Sequence, residues 1–527
     1  MGGGTALHPH PNLPLSRGKG FREASAIPQN SPIGRLRSFL ERKIPRCMST
    51  QHPDNVGAPF FCTDPVLQGE EEIEEAHQVF SLGIDEQMWD YEGKEVDNYV
   101  VKKLLSKHES IFQTKVLGRD VFLTYRVPNP RVEKDEGKWL LETLRSIPRS
   151  YDVAREFYGE RAVPPVFEVI LPMTVSPAGL ERVYQYYAQR VVGEEGVTLA
   201  PGDITIGEWV GQFEPRTINV IPLIEDIPQL VSCDQIVEGY LERHPEAPYQ
   251  RVFLARSDPA LNYGYVSAFL ALEVALARLH RLEVRLGKPL YPILGTGSAP
   301  FRGNLKPGNV RNCLESYPSV QTFTLQSAFK YDYPVPQVRA AIEEIQSFRR
   351  DKPREVDEER SVGLIARATA AYQARLRDGI ADLAAAVAPC VPPRRRRKLH
   401  IGLFGYSRGF GGVSLPRAIT YCAALYSVGL PPEIIGLDGL TQGDWDYLSQ
   451  DANFQLDLAD ALAFVNEEVL LKYLPGARAV LDRVDYRPNP EHKKLARMVY
   501  QASREGIRPD LITGMVVEAA SLRRFLG

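Results

Sequence analysis

Short apolar runs that stop abruptly on a residue able to hold a metal ion or an anion recur along this chain, and they restrict its fold more than any single motif does. Residues 217–223 run into Glu225, 251–255 into Arg256, Ser257 and Asp258, 291–294 into Gly295, Thr296 and Arg302, and 399–404 into Ser407 and Arg408. Strands of about four to eight residues without polar alternation suit a parallel sheet covered on both faces. Polar groups gathered at the C-terminal ends of such strands mark the working face of an α/β barrel. Chemistry is expected there.

Counting the runs supports closure. Strand-like stretches at residues 121–125, 166–171, 219–223, 252–255, 291–294, 321–325, 399–404 and 433–437 number eight, the count a closed barrel needs. Stretches 179–192, 267–286, 335–348, 362–388 and 417–428 carry apolar residues at i, i+3 and i+4 together with good helix formers. The expected fold is an α/β protein, an eight-stranded TIM-type (β/α) barrel with extensive additional helices. Residues 1–42 read as a disordered extension, since residues 1–32 are rich in Gly, Pro, Ser and Asn and lack an apolar stretch. Residues 43–443 read as the catalytic barrel with helical insertions, and 444–527 as a helical region packed on it.

Composition excludes several classes. A net charge of -3 and a pI near 6.4 argue against a surface built to hold nucleic acid, and no membrane-spanning segment is visible. The basic run at 394–398 reads as a solvated loop between elements. Cys47, Cys62, Cys233, Cys313, Cys390 and Cys422 are scattered without zinc spacing, which suits reduced thiols in a cytoplasmic protein. No Gly-Lys pair is followed by Ser or Thr, and Gly295-x-Gly297-x-x-Pro300 lacks the closing glycine of a dinucleotide fingerprint, so nucleotide binding is not expected.

Three constellations carry the chemistry. Glu225 and Asp258 sit just past two strands and could hold Mg²⁺, which takes one or two carboxylates plus water and substrate oxygens; alternatively Glu225 caps the next helix and Asp258 pairs with Arg256. The loops GTGSAPFRG (295–303) and GYSRGFGG (405–412) each combine glycines with one arginine, Arg302 and Arg408, and Arg417 adds a third charge at the start of the following helix. Backbone N–H groups and guanidinium forks suit phosphate or carboxylate, although the same glycines also make plain tight turns. His52, in STQHPDN (49–55), reads either as a hydrogen-bonded turn residue or as a group outside the strand series that swings over the mouth.

Taken together, KIPRCMSTQHPDN (43–55), VIPLIE (220–225), ARSDPALNYG (255–264), GTGSAPFRG (295–303), QSAFKYD (326–332), Ser407-Arg408 and GGVSLPR (411–417) resemble the shorter, archaeal-type branch of the phosphoenolpyruvate carboxylases. The resemblance implies irreversible joining of bicarbonate to phosphoenolpyruvate, through carboxyphosphate and an enolate, giving oxaloacetate and phosphate. It implies Mg²⁺ or Mn²⁺ and neither biotin nor nucleotide. By the same resemblance Glu225 and Asp258 are metal ligands, and His52, Arg302, Arg408 and Arg417 are catalytic. Arg126, Thr296, Gly297, Ser298, Gln326 and Ser407 contact substrate. A cytoplasmic homo-oligomer, a homotetramer, is implied, with no nucleic-acid or membrane partner.

The chain departs from the larger bacterial and plant form. Thr296 stands where that form has an arginine and Leu261 where it has a lysine, so Lys306 or backbone N–H groups are expected to complete the phosphate site. The long helical regulatory segments of that form are missing too. Two other readings stay open: a metal-dependent carbon–carbon lyase on a similar barrel, and a non-catalytic barrel acting as a binding protein.

Overall fold

Eight short strands close into a barrel in the computed structural model, each hydrogen-bonded in parallel to the next in chain order and the last to the first. They are β1 (Cys47–Ser49), β2 (Glu86–Asp90), β3 (Phe122–Arg126), β4 (Glu168–Leu171), β5 (Asn219–Ile224), β6 (Gln250–Ala255), β7 (Leu290–Gly295) and β8 (Thr322–Leu325). The structure describes Met1 and residues 43–92, 94, 96–396 and 409–527, and the barrel with its helices lies in the unit Lys43–Gly527. Helices alternate with strands, among them Glu70–Leu82 after β1, Gly137–Tyr158 after β3, Tyr265–Leu286 after β6 and Val335–Ser347 after β8. The expected TIM-type barrel is the observed fold.

Strand alternation sorts the barrel interior into layers. Met48, Met88, Ile170, Ile221, Leu223, Phe253, Ala255 and Ile293 pack as an apolar plug. Towards the strand N-termini, Arg251 donates to both carboxylate oxygens of Glu86 (2.8 and 2.7 Å) and to Glu168 (2.7 Å), all buried. Thr322 and Tyr249 complete that floor, the first accepting from Arg251 and the second donating to Glu168. Plug and floor fill the N-terminal side, which leaves the C-terminal ends of the strands to form a mouth.

Two expected strands differ. Residues 433–437 lie in 3-10 turns, Pro432–Ile434 and Leu437–Gly439, because Pro431 and Pro432 bring no N–H donors to a ladder and Gly436 turns the chain at φ 88°. Residues 399–404 fall outside the described residues, and the barrel is closed without them. Their places belong to β1 and β2. The first is three residues long, and the second, Glu-Gln-Met-Trp-Asp, spends Glu86 on the floor, so neither shows an apolar run. The helix expected over 362–388 is broken, as Glu358–Arg375 and Ala381–Val387 flank Gly379 at φ 109°.

Later segments add helical layers and one hairpin. Ala418–Ser427, Pro490–Arg504 and Pro509–Arg523 are helices, while β9 (Gly409–Phe410) and β10 (Val413–Ser414) pair antiparallel. Their two-residue turn needs positive φ at both positions, which Gly411 (50°) and Gly412 (87°) supply. Among the described residues no single helix is long and apolar enough to cross a membrane. All six cysteines are free thiols.

Candidate active site

A cavity of about 550 Å³ opens at the C-terminal ends of the strands, and His52, Arg126, Glu225, Asp258, Arg302, Gln326 and Arg417 line it. Strand ends deliver most of them: Arg126 ends β3, Glu225 directly follows β5, Gln326 directly follows β8, and Asp258 comes shortly after β6. His52 is not outside the strand series, as the sequence suggested, but follows β1. Hydrogen bonding to Thr50 Oγ1 (2.6 Å) engages its Nδ1. Burial, then the nearby Lys94, Arg126 and Arg302, hold its imidazole well below the usual pKa, so the ring is neutral and keeps a nitrogen able to accept a proton.

The two proposed metal-binding carboxylates follow neighbouring, directly paired strands. Asp226, not Glu225, caps the next helix by accepting from the Ile227 N–H (3.2 Å), so the capping alternative for Glu225 fails. Glu225 instead accepts from the Met173 N–H (2.6 Å), and Met173 sits at φ 48° in the left-handed region. Burial, with Glu92 and Asp258 close by, pushes Glu225 well above the ordinary carboxylate range, and burial beside Glu92 raises Glu133 to about 8. Carboxylates gathered in one poorly hydrated place repel one another, and a hard divalent cation with oxygen ligands relieves that repulsion. The donor set therefore fits Mg²⁺ or Mn²⁺. Another acid–imidazole group among the described residues, Glu74, His77 and His108, is not part of this cavity's lining. Its two imidazoles stack face to face (3.7 Å, 5°), and its three ligand atoms lie within 4.8 Å of one another.

Cations line the rest of the wall. Arg126 donates through its fork to both oxygens of Asp90 (2.7 Å each) and lies 3.1 Å from Glu92. Arg302 is buried and donates to Ser257 Oγ (3.1 Å), Gln326 Oε1 (2.5 Å) and the main-chain oxygen of Gly527 (2.6 Å), with Asp54 at 3.5 Å. Its guanidinium lies against Gly297, where a Cβ would stand 2.8 Å from Cζ, so a side chain here would force the guanidinium to shift. Arg417 precedes the helix Ala418–Ser427 and has its pKa lowered by burial despite Glu92 and Asp258 nearby.

Other expected site residues stand elsewhere. Thr296 is tied to Thr324 by two 2.7 Å hydrogen bonds, Gly297 backs Arg302, and Ser298 is buried; none of the three is among the lining residues. Lys306 donates to Asp460 (2.9 Å) and likewise is not among the lining residues. Ser407 and Arg408 lie outside the described residues. The solvated-loop reading of the basic run is overturned at Arg394 and Arg395, which are buried because Arg394 reaches backbone carbonyls and Arg395 pairs with Glu72 and Glu75. Residues 397 and 398 of that run are outside the description.

Asp90, Glu92, Lys94 and Glu133 also line the cavity and escaped sequence reasoning. Three of them follow from missing β2. The usable signal was there: Asp-Tyr-Glu-Gly-Lys (90–94) sets two acids and a lysine around a glycine immediately after Trp89.

The family model described as phosphoenolpyruvate carboxylase matches residues 44–527. A protein named phosphoenolpyruvate carboxylase from Methanospirillum hungatei is 49% identical over 489 residues, 92% of this chain and 100% of its own length. One of the same name from Methanothermobacter thermautotrophicus is 49% identical over 487 residues, with the same coverage. A third, from Pyrococcus furiosus, is 47% identical over 490 residues, again 92% and 100%.

Proposed function

We propose, from the premise that this chain belongs to the phosphoenolpyruvate carboxylase family, a division of labour among the residues of its cavity. The protein is an enzyme, a carboxy-lyase by class, that carboxylates phosphoenolpyruvate with bicarbonate to give oxaloacetate and phosphate. The observation that carries the proposal is the convergence of His52, Arg126, Glu225, Asp258, Arg302 and Arg417 on one cavity at the C-terminal mouth of the barrel.

Bicarbonate must approach a phosphorus centre already surrounded by negative charge. Arg417 brings positive charge to that problem, while Arg126, paired with Asp90 and Glu92, and Arg302, held by its protein partners, act as fixed positive charges in the wall. Attack of a bicarbonate oxygen on phosphorus breaks the bond from phosphorus to the enol oxygen, leaving carboxyphosphate and the enolate of pyruvate. Glu225 and Asp258 would hold Mg²⁺ or Mn²⁺, which when bound supplies positive charge to the oxygen that becomes the enolate. His52, neutral in this setting, takes the carboxyl proton of carboxyphosphate. Loss of that proton releases CO₂ and phosphate, and C3 of the enolate then bonds to CO₂. The scheme needs neither biotin nor nucleotide.

Phosphate, pyruvate and oxaloacetate measured together in His52→Asn test the scheme. Metal and substrate binding and bicarbonate-dependent phosphate release should persist, with pyruvate replacing oxaloacetate because an enolate without a positioned CO₂ is protonated. An unchanged oxaloacetate yield would return His52 to a turn residue, and loss of all three products would move it to the first step. A carbon–carbon lyase would turn over without bicarbonate, which the same assay reads. Cytoplasmic location and homotetrameric assembly follow from family membership as proposals, tested by cell fractionation and light scattering.

A further inference from the structure

The segment carrying His52 is gripped through its main chain by three buried cations. Lys330 donates to the Thr50 carbonyl (2.8 Å), Lys94 to the Gln51 carbonyl, and Arg394 to the carbonyls of Asn55 (3.0 Å) and Val56 (2.6 Å). They arrive from three separate places: the turn after β8, the loop after β2, and the segment 391–396 that crosses the cavity wall. None is more than 5% exposed.

A backbone carbonyl is satisfied at little cost by an N–H or a water, whereas a buried cation is expensive unless it is paired. Here Lys330 has Glu75 (2.8 Å) and Lys94 has Asp90 (2.6 Å), so two acids are buried as well to keep those lysines charged. Burial lowers the pKa of all three cations, which counts against the arrangement as mere stabilisation. What it does supply is rigidity and registration. Asp90 accepts from both Lys94 and Arg126, and the Gln51 side chain accepts from the Asp90 N–H (2.8 Å) while donating to Glu72 (3.0 Å). His52 and Arg126 therefore hang from one anchor.

We propose that Lys94, Lys330 and Arg394 form a clamp of positioning residues that holds His52 in place for the second half of the reaction, so that the clamp sets how the enolate divides between CO₂ and a proton. Capture of CO₂ at C3 gives oxaloacetate; capture of a proton there gives pyruvate and frees the CO₂. The inference rests on the reading of His52 given above.

Arg394 is the member to alter, since its hydrogen bonds go to carbonyls and it forms no ion pair among the described residues. In Arg394→Met, amide hydrogen exchange over residues 50–56 should quicken by about tenfold, as expected for one or two lost hydrogen bonds. The pyruvate share of product should rise several-fold while phosphate release changes much less. Arg394→Lys, which keeps the charge and one donor, should fall between wild type and Met in both readouts, and it carries the test alone if the Met variant does not fold. Unchanged exchange overturns the clamp. Faster exchange with an unchanged product ratio, when His52→Asn does shift that ratio, overturns its catalytic consequence, as does a parallel loss of phosphate, pyruvate and oxaloacetate. A His52→Asn variant with wild-type partition would instead sink the reading of His52, leaving the clamp to be judged on exchange rates alone.

Discussion

A carboxylate placed directly after a parallel strand can cap the next helix or face the mouth, and at Glu225 the adjacent Asp226 takes the cap. Glu225 is thereby left beside Glu92 and Asp258, where its charge is unwelcome without a cation. Removing either proposed ligand, as Glu225→Ala or Asp258→Ala, should lower turnover by several orders of magnitude and weaken Mn²⁺ binding followed by electron paramagnetic resonance. Normal activity and normal Mn²⁺ affinity in both variants would take the pair out of the metal site. Arg302 illustrates a different lesson at the same scale. Its residue type and glycine-rich surroundings suggested a ligand-facing fork, yet its donors meet Ser257, Gln326 and Gly527. On the proposed scheme it contributes charge from a fixed position, acting on substrate electrostatically and at longer range in a poorly hydrated wall.

Between elements, two buried acid systems give opposite expectations. At the barrel floor, Arg251 of β6 joins Glu86 of β2 to Glu168 of β4, all buried. Arg251→Met strands two carboxylates, and breaking such a buried cluster should cost about 3–5 kcal/mol, read from urea denaturation. The apolar plug separates floor from mouth, so folded variant should keep near-normal kcat. A loss of kcat without a loss of stability would contradict that insulation. Glu433 holds the loop of Arg302 from behind, accepting from the Phe301 N–H (2.5 Å) and the Tyr426 hydroxyl (2.7 Å), and burial raises it from 4.5 to about 7. Since the folded chain binds this proton more tightly than the unfolded chain, its contribution is fully present below about 4.5 and is lost as pH rises through 7. Glu433→Gln keeps an acceptor but cannot ionise. It should flatten the fall in stability across that window and raise the denaturation midpoint at pH 8; a slope identical to wild type would show that Glu433 titrates normally.

For the whole molecule, the family match begins at residue 44 and the unit containing barrel and helices begins at Lys43. A chain of residues 43–527 should therefore retain the kcat/KM and thermal midpoint of the full chain. A fall in either would assign residues 1–42 a part in catalysis or stability.

Fold class was legible in the chain because β3 to β8 are buried on both faces, and double burial leaves no room for polar alternation; each appears as an apolar run. The same reasoning located Glu225 and Asp258, since polar residues just past parallel strands gather at the mouth end of a barrel, whereas Arg126 came only from the family resemblance. Only the folded barrel decided β1 and β2, which are strands because their neighbours offer ladder partners in register, Met48 with Glu86 and with Thr324. From that closure come the placing of His52 at a strand end and the entry of Asp90, Glu92 and Lys94 into the cavity. Burial of Arg394 and Arg395 was equally invisible, because their acceptors lie more than three hundred residues earlier, at Asn55 and Glu72. A local pattern records which faces a segment buries; it holds no record of which distant charge makes a buried cation tolerable, and that is settled only when the chain has closed on itself.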